Sequence, residues 1–276
     1  MFNVNHILIA SDLTQNARAA LQRAAQLKQH LGARLTLLHV VDPKTPAVQS
    51  EQHARSILQE HVGSVFASEP RHFGLEIRHG DRYDTIIAEA EAAGADLIVL
   101  GDAQQRRWNG TTTERVVRMS QLPVLVVRRP GGQPYQRLLS AFDGSPAACR
   151  ALAVALAVAG EAKCLVFHAS ITPTLAQFAT RRAGDAIARH QVDAVMAALE
   201  GLLKRVGPLR ARPEVRVLEG NPHFLVRDSM REFAPDLLTV GTHARSSAAT
   251  AVLGSFAYDL LGDATCDVLI APPDGA

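Results

Sequence analysis

The chain has 276 residues, of which 47% are hydrophobic, 20% charged and only 5% aromatic, enough apolar material for one large packed domain or two of ordinary size. A formal net charge of +2, evenly spread, argues against a nucleic-acid partner, and no apolar run reaches membrane-spanning length. The opening Met1-Phe2-Asn3-Val4-Asn5-His6 lacks a basic or cleavable leader, and Cys149, Cys164 and Cys266 are few and widely spaced, so buried thiols in the cytosol are expected.

Along the chain, a first apolar strand, Ile7-Leu8-Ile9-Ala10, closes on Ser11-Asp12. Ala17, Ala20, Leu21, Ala24, Leu27 and Leu31 then recur at helical spacing, with Gly32 placed to end the helix. A second strand, Leu35 to Val40, leads into a longer helical region. The third strand, Glu76 to His79, runs into Gly80, and a third helix precedes the strand Leu97-Ile98-Val99-Leu100-Gly101. A fourth helix and the strand Val124–Val127 complete the unit, and Arg128 to Pro134 reads as a linker.

The same landmarks then return. Leu138 to Phe142 closes on Asp143, and Ala148 to Val158 is a helix stopped by Gly160. Cys164 to Ala169 is the second strand, and Val192, Val195, Leu199, Leu202 and Val206 form a helical stripe ended by Gly207-Pro208. Val215 to Gly220, Leu237 to Gly241 and Val268 to Ala271 repeat the remaining strands. The repeat divides the chain into residues 1–128, a linker at 129–137, and residues 138–276.

Five strands alternating with four helices predict right-handed crossovers and a parallel sheet buried on both faces. Each copy is therefore expected to be a three-layer α/β/α domain with a five-stranded, mostly parallel sheet. Ligands of such sheets bind beyond the carboxyl ends of the strands, so site residues are sought after strands one, two and four.

After strand four of the second copy the chain reads Gly241-Thr242-His243-Ala244, and nine residues later Gly254-Ser255-Phe256. Gly241 is read as letting the backbone turn sharply out of the sheet. Gly254-Ser255 is read as opening a helix whose free N–H groups hold an anion, with the Ser255 hydroxyl capping that helix or bonding a phosphate. Neither a Walker A sequence nor GxGxxG occurs.

These residues resemble the universal stress protein family, whose ATP-binding members carry G-x2-G-x9-G-[ST] after strand four and an Asp after strand one. The second copy has the full spacing with Ala244 at the middle glycine, and Asp143-Gly144-Ser145 is similar to the family's D-G-S. The resemblance covers nearly the whole chain and implies the adenine-nucleotide α-hydrolase-like fold. It implies that Asp143 and the Ala169 backbone meet the adenine, and that Val240, Gly241, Ala244, Gly254, Ser255 and Phe256 line the ribose and phosphates.

In the first copy, Asp12, Val40, Gly101, Gly110 and Thr111 stand at the matching positions, as a possible second site. Its loop is four residues shorter, however, has Gln104 at the middle glycine and carries Asp102, Arg106, Arg107 and Trp108. Unequal halves are expected. The cofactor implied is ATP or another adenine nucleotide, with or without magnesium. No catalytic residue and no metal ligand set is identified, so any ATPase activity is expected to be slow.

By the same likeness the last strands, Val124–Val127 and Val268–Ala271, pair with each other as a pseudo-dimer within the chain, or with a second chain as a homodimer. The alternative function is a family member without nucleotide, acting as a dimerising scaffold or binding another small ligand. An ATP pyrophosphatase-like enzyme is disfavoured, because neither Asp12-Leu13-Thr14 nor Asp143-Gly144-Ser145-Pro146 supplies its serine-glycine-glycine loop.

Overall fold

The computed structural model describes residues 3–44, 50–66, 73–102, 110–170, 181–242 and 254–274, without the side chains of 181–188. The first copy runs β1 (His6–Ala10), α1 (Gln15–Leu31), β2 (Arg34–Val41), α2 (Glu51–Val65), β3 (Phe73–His79), α3 (Arg82–Ala92), β4 (Leu97–Gly101), α4 (Thr112–Met119) and β5 (Val124–Val127). The second runs β6 (Arg137–Ala141), α5 (Pro146–Ala159), β7 (Lys163–Ser170), α6 (Arg181–Val206), β8 (Glu214–Glu219), α7 (Pro222–Phe233), β9 (Leu237–Gly241), α8 (Ser255–Asp263) and β10 (Asp267–Ala271).

Local chemistry accounts for the boundaries. Thr14, Ser50, Asp81, Thr111, Ser145 and Asn221 each cap a helix start with a side-chain oxygen. Gly32, in the left-handed conformation at φ 67°, ends α1 as its position in the sequence predicts. The start of the first strand is tied down in the same way in both copies. Asp96 accepts from the backbone N–H of Asn5 and His6, and Asp236 from those of Gln136 and Arg137.

Within each half the sheet is parallel, in the order third, second, first, fourth, fifth strand. The two halves do not form separate sheets. β5 and β10 pair antiparallel, Val126 opposite Val268 and Val124 opposite Ile270, giving one ten-stranded sheet, β3-β2-β1-β4-β5-β10-β9-β6-β7-β8. This is the pseudo-dimer arrangement, and it covers two edges that would otherwise stand open.

One apolar layer, beneath α1, α2, α5 and α6, runs from Ile7 and Leu37 in the first half to Leu138, Val166 and Leu269 in the second. The other, beneath α3, α4, α7 and α8, contains Leu8, Val126, Leu165 and Ile270. Neighbouring residues of one strand enter opposite layers, which is why the strands are apolar without alternation. Because the joint is antiparallel, the carboxyl ends of the two half-sheets lie on opposite edges.

The segment Arg128 to Pro134, read from the sequence as a plain linker, carries buried polar chemistry together with Tyr135 next to it. Asp267, 1% exposed, accepts through Oδ1 from the N–H groups of Arg128 and Arg129, at 2.8 and 3.2 Å. Its Oδ2 accepts from the Tyr135 hydroxyl at 2.8 Å and pairs with Arg23 Nε at 3.3 Å. Arg23 also donates to Gln133 O at 2.6 Å and lies 3.9 Å from the centre of the Tyr135 ring. Arg128, pulled below its usual range by burial and held up by Asp102, pairs with that carboxylate at 2.7 Å. It also donates to the carbonyls of Leu261 and Ala264 at the end of α8.

The three cysteines are free thiols, and Cys164 and Cys266 are buried. Burial pushes both up to about 12 from an ordinary 9.0, with the Asp267 carboxylate adding to the effect on Cys266. Burial also raises Tyr135 well above its usual range. Between pH 9 and 12 an unfolded chain releases thiol protons that the native chain retains, so rising pH favours unfolding, by roughly 1.4 kcal/mol per thiol per pH unit. Urea midpoints are therefore expected to fall steadily above pH 9. The doubly substituted Cys164→Ala/Cys266→Ala protein should show a shallower fall, and parallel profiles would count against this linkage. Among the described residues, no helix is long and apolar enough to cross a membrane.

Candidate functional site

The loop after the first strand of each half has the same shape. Asp12 Oδ1 accepts from Thr14 N–H at 3.0 Å, and Asp143 Oδ1 from Ser145 N–H at 2.9 Å. The residue between them is left-handed in both, Leu13 at φ 67° and Gly144 at φ 77°. A buried histidine on the second strand supports each loop, with His39 Nδ1 2.8 Å from Ser11 O and His168 Nδ1 2.9 Å from Phe142 O. A carbonyl can only accept, so Nδ1 carries the hydrogen and each imidazole positions the backbone just before its aspartate.

In the second half these elements enclose a cavity of about 200 Å³ at the carboxyl ends of β6, β7 and β9. Asp143, Ala169, Val240, Gly241 and Phe256, all named from the sequence, line it. Phe142, Phe167 and His168 supply further wall, and Pro222 closes it from the start of α7. The side of Phe256 is buttressed by His223, ring centres 5.2 Å apart and nearly perpendicular. Pro222 follows the third strand, outside the ends of strands one, two and four to which the sequence reading points. The Gly220-Asn221-Pro222 turn after the third strand was the available signal.

Gly241 acts differently from the sequence reading. Its φ is not left-handed, and what it permits is close packing. A Cβ there would stand 2.4 Å from Ala148 N and 2.6 Å from Ala147 C, in the first turn of α5. Gly101 has the same relation to α1, where a Cβ would lie 2.6 Å from Asn16 O.

Gly254 is the N-cap of α8 and offers no side-chain oxygen, so the first-turn N–H groups have no side-chain cap. Ser255 is the first helical residue and is exposed; it does not cap the helix. Ala244 lies outside the described residues, as do Gln104, Arg106, Arg107 and Trp108.

The first half places Asp12, Val40 and Gly101 at the ends of β1, β2 and β4, as expected. Its helix start differs. Thr111 caps α4 by accepting from Glu114 N–H at 3.1 Å, and Glu114 Oε2 accepts from Gly110 N–H at 2.6 Å. This resembles a capping box, with the Glu114 carboxylate reaching the N–H one residue before the Thr111 cap. Glu114 is 3% exposed, so a buried carboxylate already occupies this helix start, where the second half has none among the described residues. Asp102, at the end of β4, is paired with Arg128.

The pocket's described lining fits a planar ring. It is mostly apolar, and its volume is below the roughly 300–1,000 Å³ that encloses a whole drug-sized ligand.

Comparison with known proteins agrees with this architecture. The chain is similar over 98–99% of its length to a universal stress protein from Archaeoglobus fulgidus and to the protein PA1789 from Pseudomonas aeruginosa. Both have a TM-score of 0.69 at 19% identity and are covered over 100% and 93% of their own chains, a likeness of fold. A stress response protein of Bacillus subtilis, NhaX, is 25% identical over 166 residues, matching 46% of this chain and all of that protein. The profile of the universal stress protein family matches twice, at residues 3–128 and 134–272. The chain belongs to the universal stress protein family, with two of its domains in tandem.

Proposed function

We propose that this protein is a nucleotide-responsive member of the stress response, binding one adenine nucleotide per chain in the second half. The observation that carries the reading is the convergence of Asp143, Ala169, Val240 and Phe256 around one cavity beside the uncapped start of α8. The base enters the cavity, with its edge towards Asp143 and the Ala169 backbone. The phosphates meet the free N–H groups and positive end of α8, with or without magnesium. The residues at the first-half positions, Asp12, Val40, Gly101, Gly110 and Thr111, form no second phosphate site, because Glu114 holds the start of α4. Occupancy changes shape or partners, and catalysis is at most a slow ATPase activity. The stress role follows the family and the printed name of the Bacillus subtilis relative, and the free thiols agree with the cytosol.

The test is mass spectrometry of small molecules released on denaturing protein purified without added nucleotide, with calorimetry using ATP, ADP and AMP. Wild-type protein is expected to release or bind close to one equivalent. Gly254→Glu should release none, since a carboxylate at the N-cap of α8 puts negative charge where the phosphates would sit. Silence in both assays would leave a scaffold without nucleotide, with Ala244 as the first residue to restore to glycine.

A further inference from the structure

At the edge of the second half remote from the nucleotide pocket lies a groove of about 770 Å³. Four arginines line it: Arg129 from the linker, Arg137 at the start of β6, and Arg227 and Arg231 on α7. Arg227 pairs with Asp263 and Arg231 with Asp228. Arg129 donates Nε–H to Thr265 O at 2.7 Å, and neither it nor Arg137 has an ion-pair partner among the described residues. Two positive charges in one groove are thus left without a paired carboxylate. Beside them Phe224, 65% exposed, offers an aromatic face to solvent.

The pseudo-symmetric place in the first half serves as a control within the same molecule. Matching strand starts and helix caps put His6 at the position of Arg137, Ile87 at Arg227, Glu91 at Arg231 and Asp84 at Phe224. His6 there is a buried structural residue, within 3.0 Å of Ala93 O and 2.9 Å of Thr36 Oγ1. The fold is built twice and needs neither the guanidinium groups nor the exposed ring at this place. Their presence in one half alone points to a task particular to that half.

We propose that this groove is a second ligand site, for a small organic phosphate with an aromatic body. Planar guanidinium groups match phosphate oxygens in pairs, which explains why two arginines stand without carboxylates. The groove's other two arginines are held by Asp228 and Asp263, and these carboxylates set an upper limit to the charge it accepts. Phe224 takes the apolar body, so the ligand is an aryl or nucleoside phosphate rather than an inorganic ion.

Calorimetry of the full chain with phenyl phosphate at low ionic strength tests this. Saturable binding is expected, weakened about tenfold by Arg129→Gln and by Arg137→Gln, the loss of one charge-assisted bond each. Both side chains are exposed, and circular dichroism checks that the variants fold. Phe224→Ala should weaken phenyl phosphate several-fold, down to the weaker affinity expected for an inorganic phosphate that lacks the ring. Gly254→Glu should alter neither affinity. Absence of saturable binding at millimolar phenyl phosphate overturns the proposal. So does full binding by the doubly substituted Arg129→Gln/Arg137→Gln protein, or loss of binding in Gly254→Glu, which would move the anion to the nucleotide pocket.

Discussion

Asp267→Ala is expected to lower the unfolding free energy by about 3–5 kcal/mol, the cost of removing one partner from a buried charge pair. The carboxylate is 1% exposed and serves four groups at once: the backbone N–H of Arg128 and Arg129, the Tyr135 hydroxyl and the Arg23 guanidinium. Arg23 belongs to the first half, Asp267 to the second, and the others to the segment joining them. The substitution leaves a buried cation facing a hydroxyl with no acceptor. At roughly 2–4 °C per kcal/mol for a chain of this size, the melting temperature should fall by about 6–20 °C. Asp267→Asn, which keeps an acceptor but no charge, should fall between wild type and Asp267→Ala. Tyr135→Phe, which removes one hydrogen bond to a charged group, should cost about 1.5–3 kcal/mol. Differential scanning calorimetry on the three variants decides the matter, and an Asp267→Ala melting point within 2 °C of wild type would rule out a stabilising role for the cluster.

Gly241→Ala and Gly101→Ala are expected to match in stability and differ in binding. In both a new methyl meets helix backbone well inside contact distance, 2.4 Å from Ala148 N and 2.6 Å from Asn16 O. Backbone cannot rotate aside as a side chain does, so the first turn of α5 or α1 must move away from its strand. Overpacking of this kind costs about 1–3 kcal/mol. At Gly241 the displaced turn carries Ala148, which lines the second-half cavity with Gly241 itself. Nucleotide affinity should therefore drop about tenfold or more in Gly241→Ala, as a loss of roughly 1.4 kcal/mol implies. In Gly101→Ala the binding isotherm should stay at the wild-type value, since α4 in that half is closed by Glu114. Equal loss of affinity in both variants would show that the pocket responds to global loosening rather than to its own packing.

Most of the fold was open to reading along the chain, because strand and helix periodicity and capping chemistry are local properties. The repeat, the strands and the stops at Gly32, Gly160 and Gly207 needed only neighbouring residues. The pocket walls were readable for a related reason. A parallel sheet brings the ends of its strands to one edge, so Asp143, Ala169 and Val240 had to meet once the strands were placed. Even the closed helix start of the first half has a local signal, Thr111-x-x-Glu114.

What no local pattern carried was the set of contacts between residues far apart in the chain. The sequence by itself determined two α/β units and part of the wall of one pocket, Asp143, Ala169, Val240, Gly241 and Phe256, since periodicity, caps and strand ends are written in adjacent positions. Only the tertiary structure decided that β5 and β10 close into one ten-stranded sheet, and therefore that the carboxyl edges of the two halves lie opposite each other. It also decided that Arg23, Tyr135 and Asp267 share one buried cluster, and that Arg129 and Arg137 share a groove with Arg227 and Arg231. Those residues are brought together by packing across the joint and around the sheet edge, which depends on shape and burial rather than on spacing along the chain.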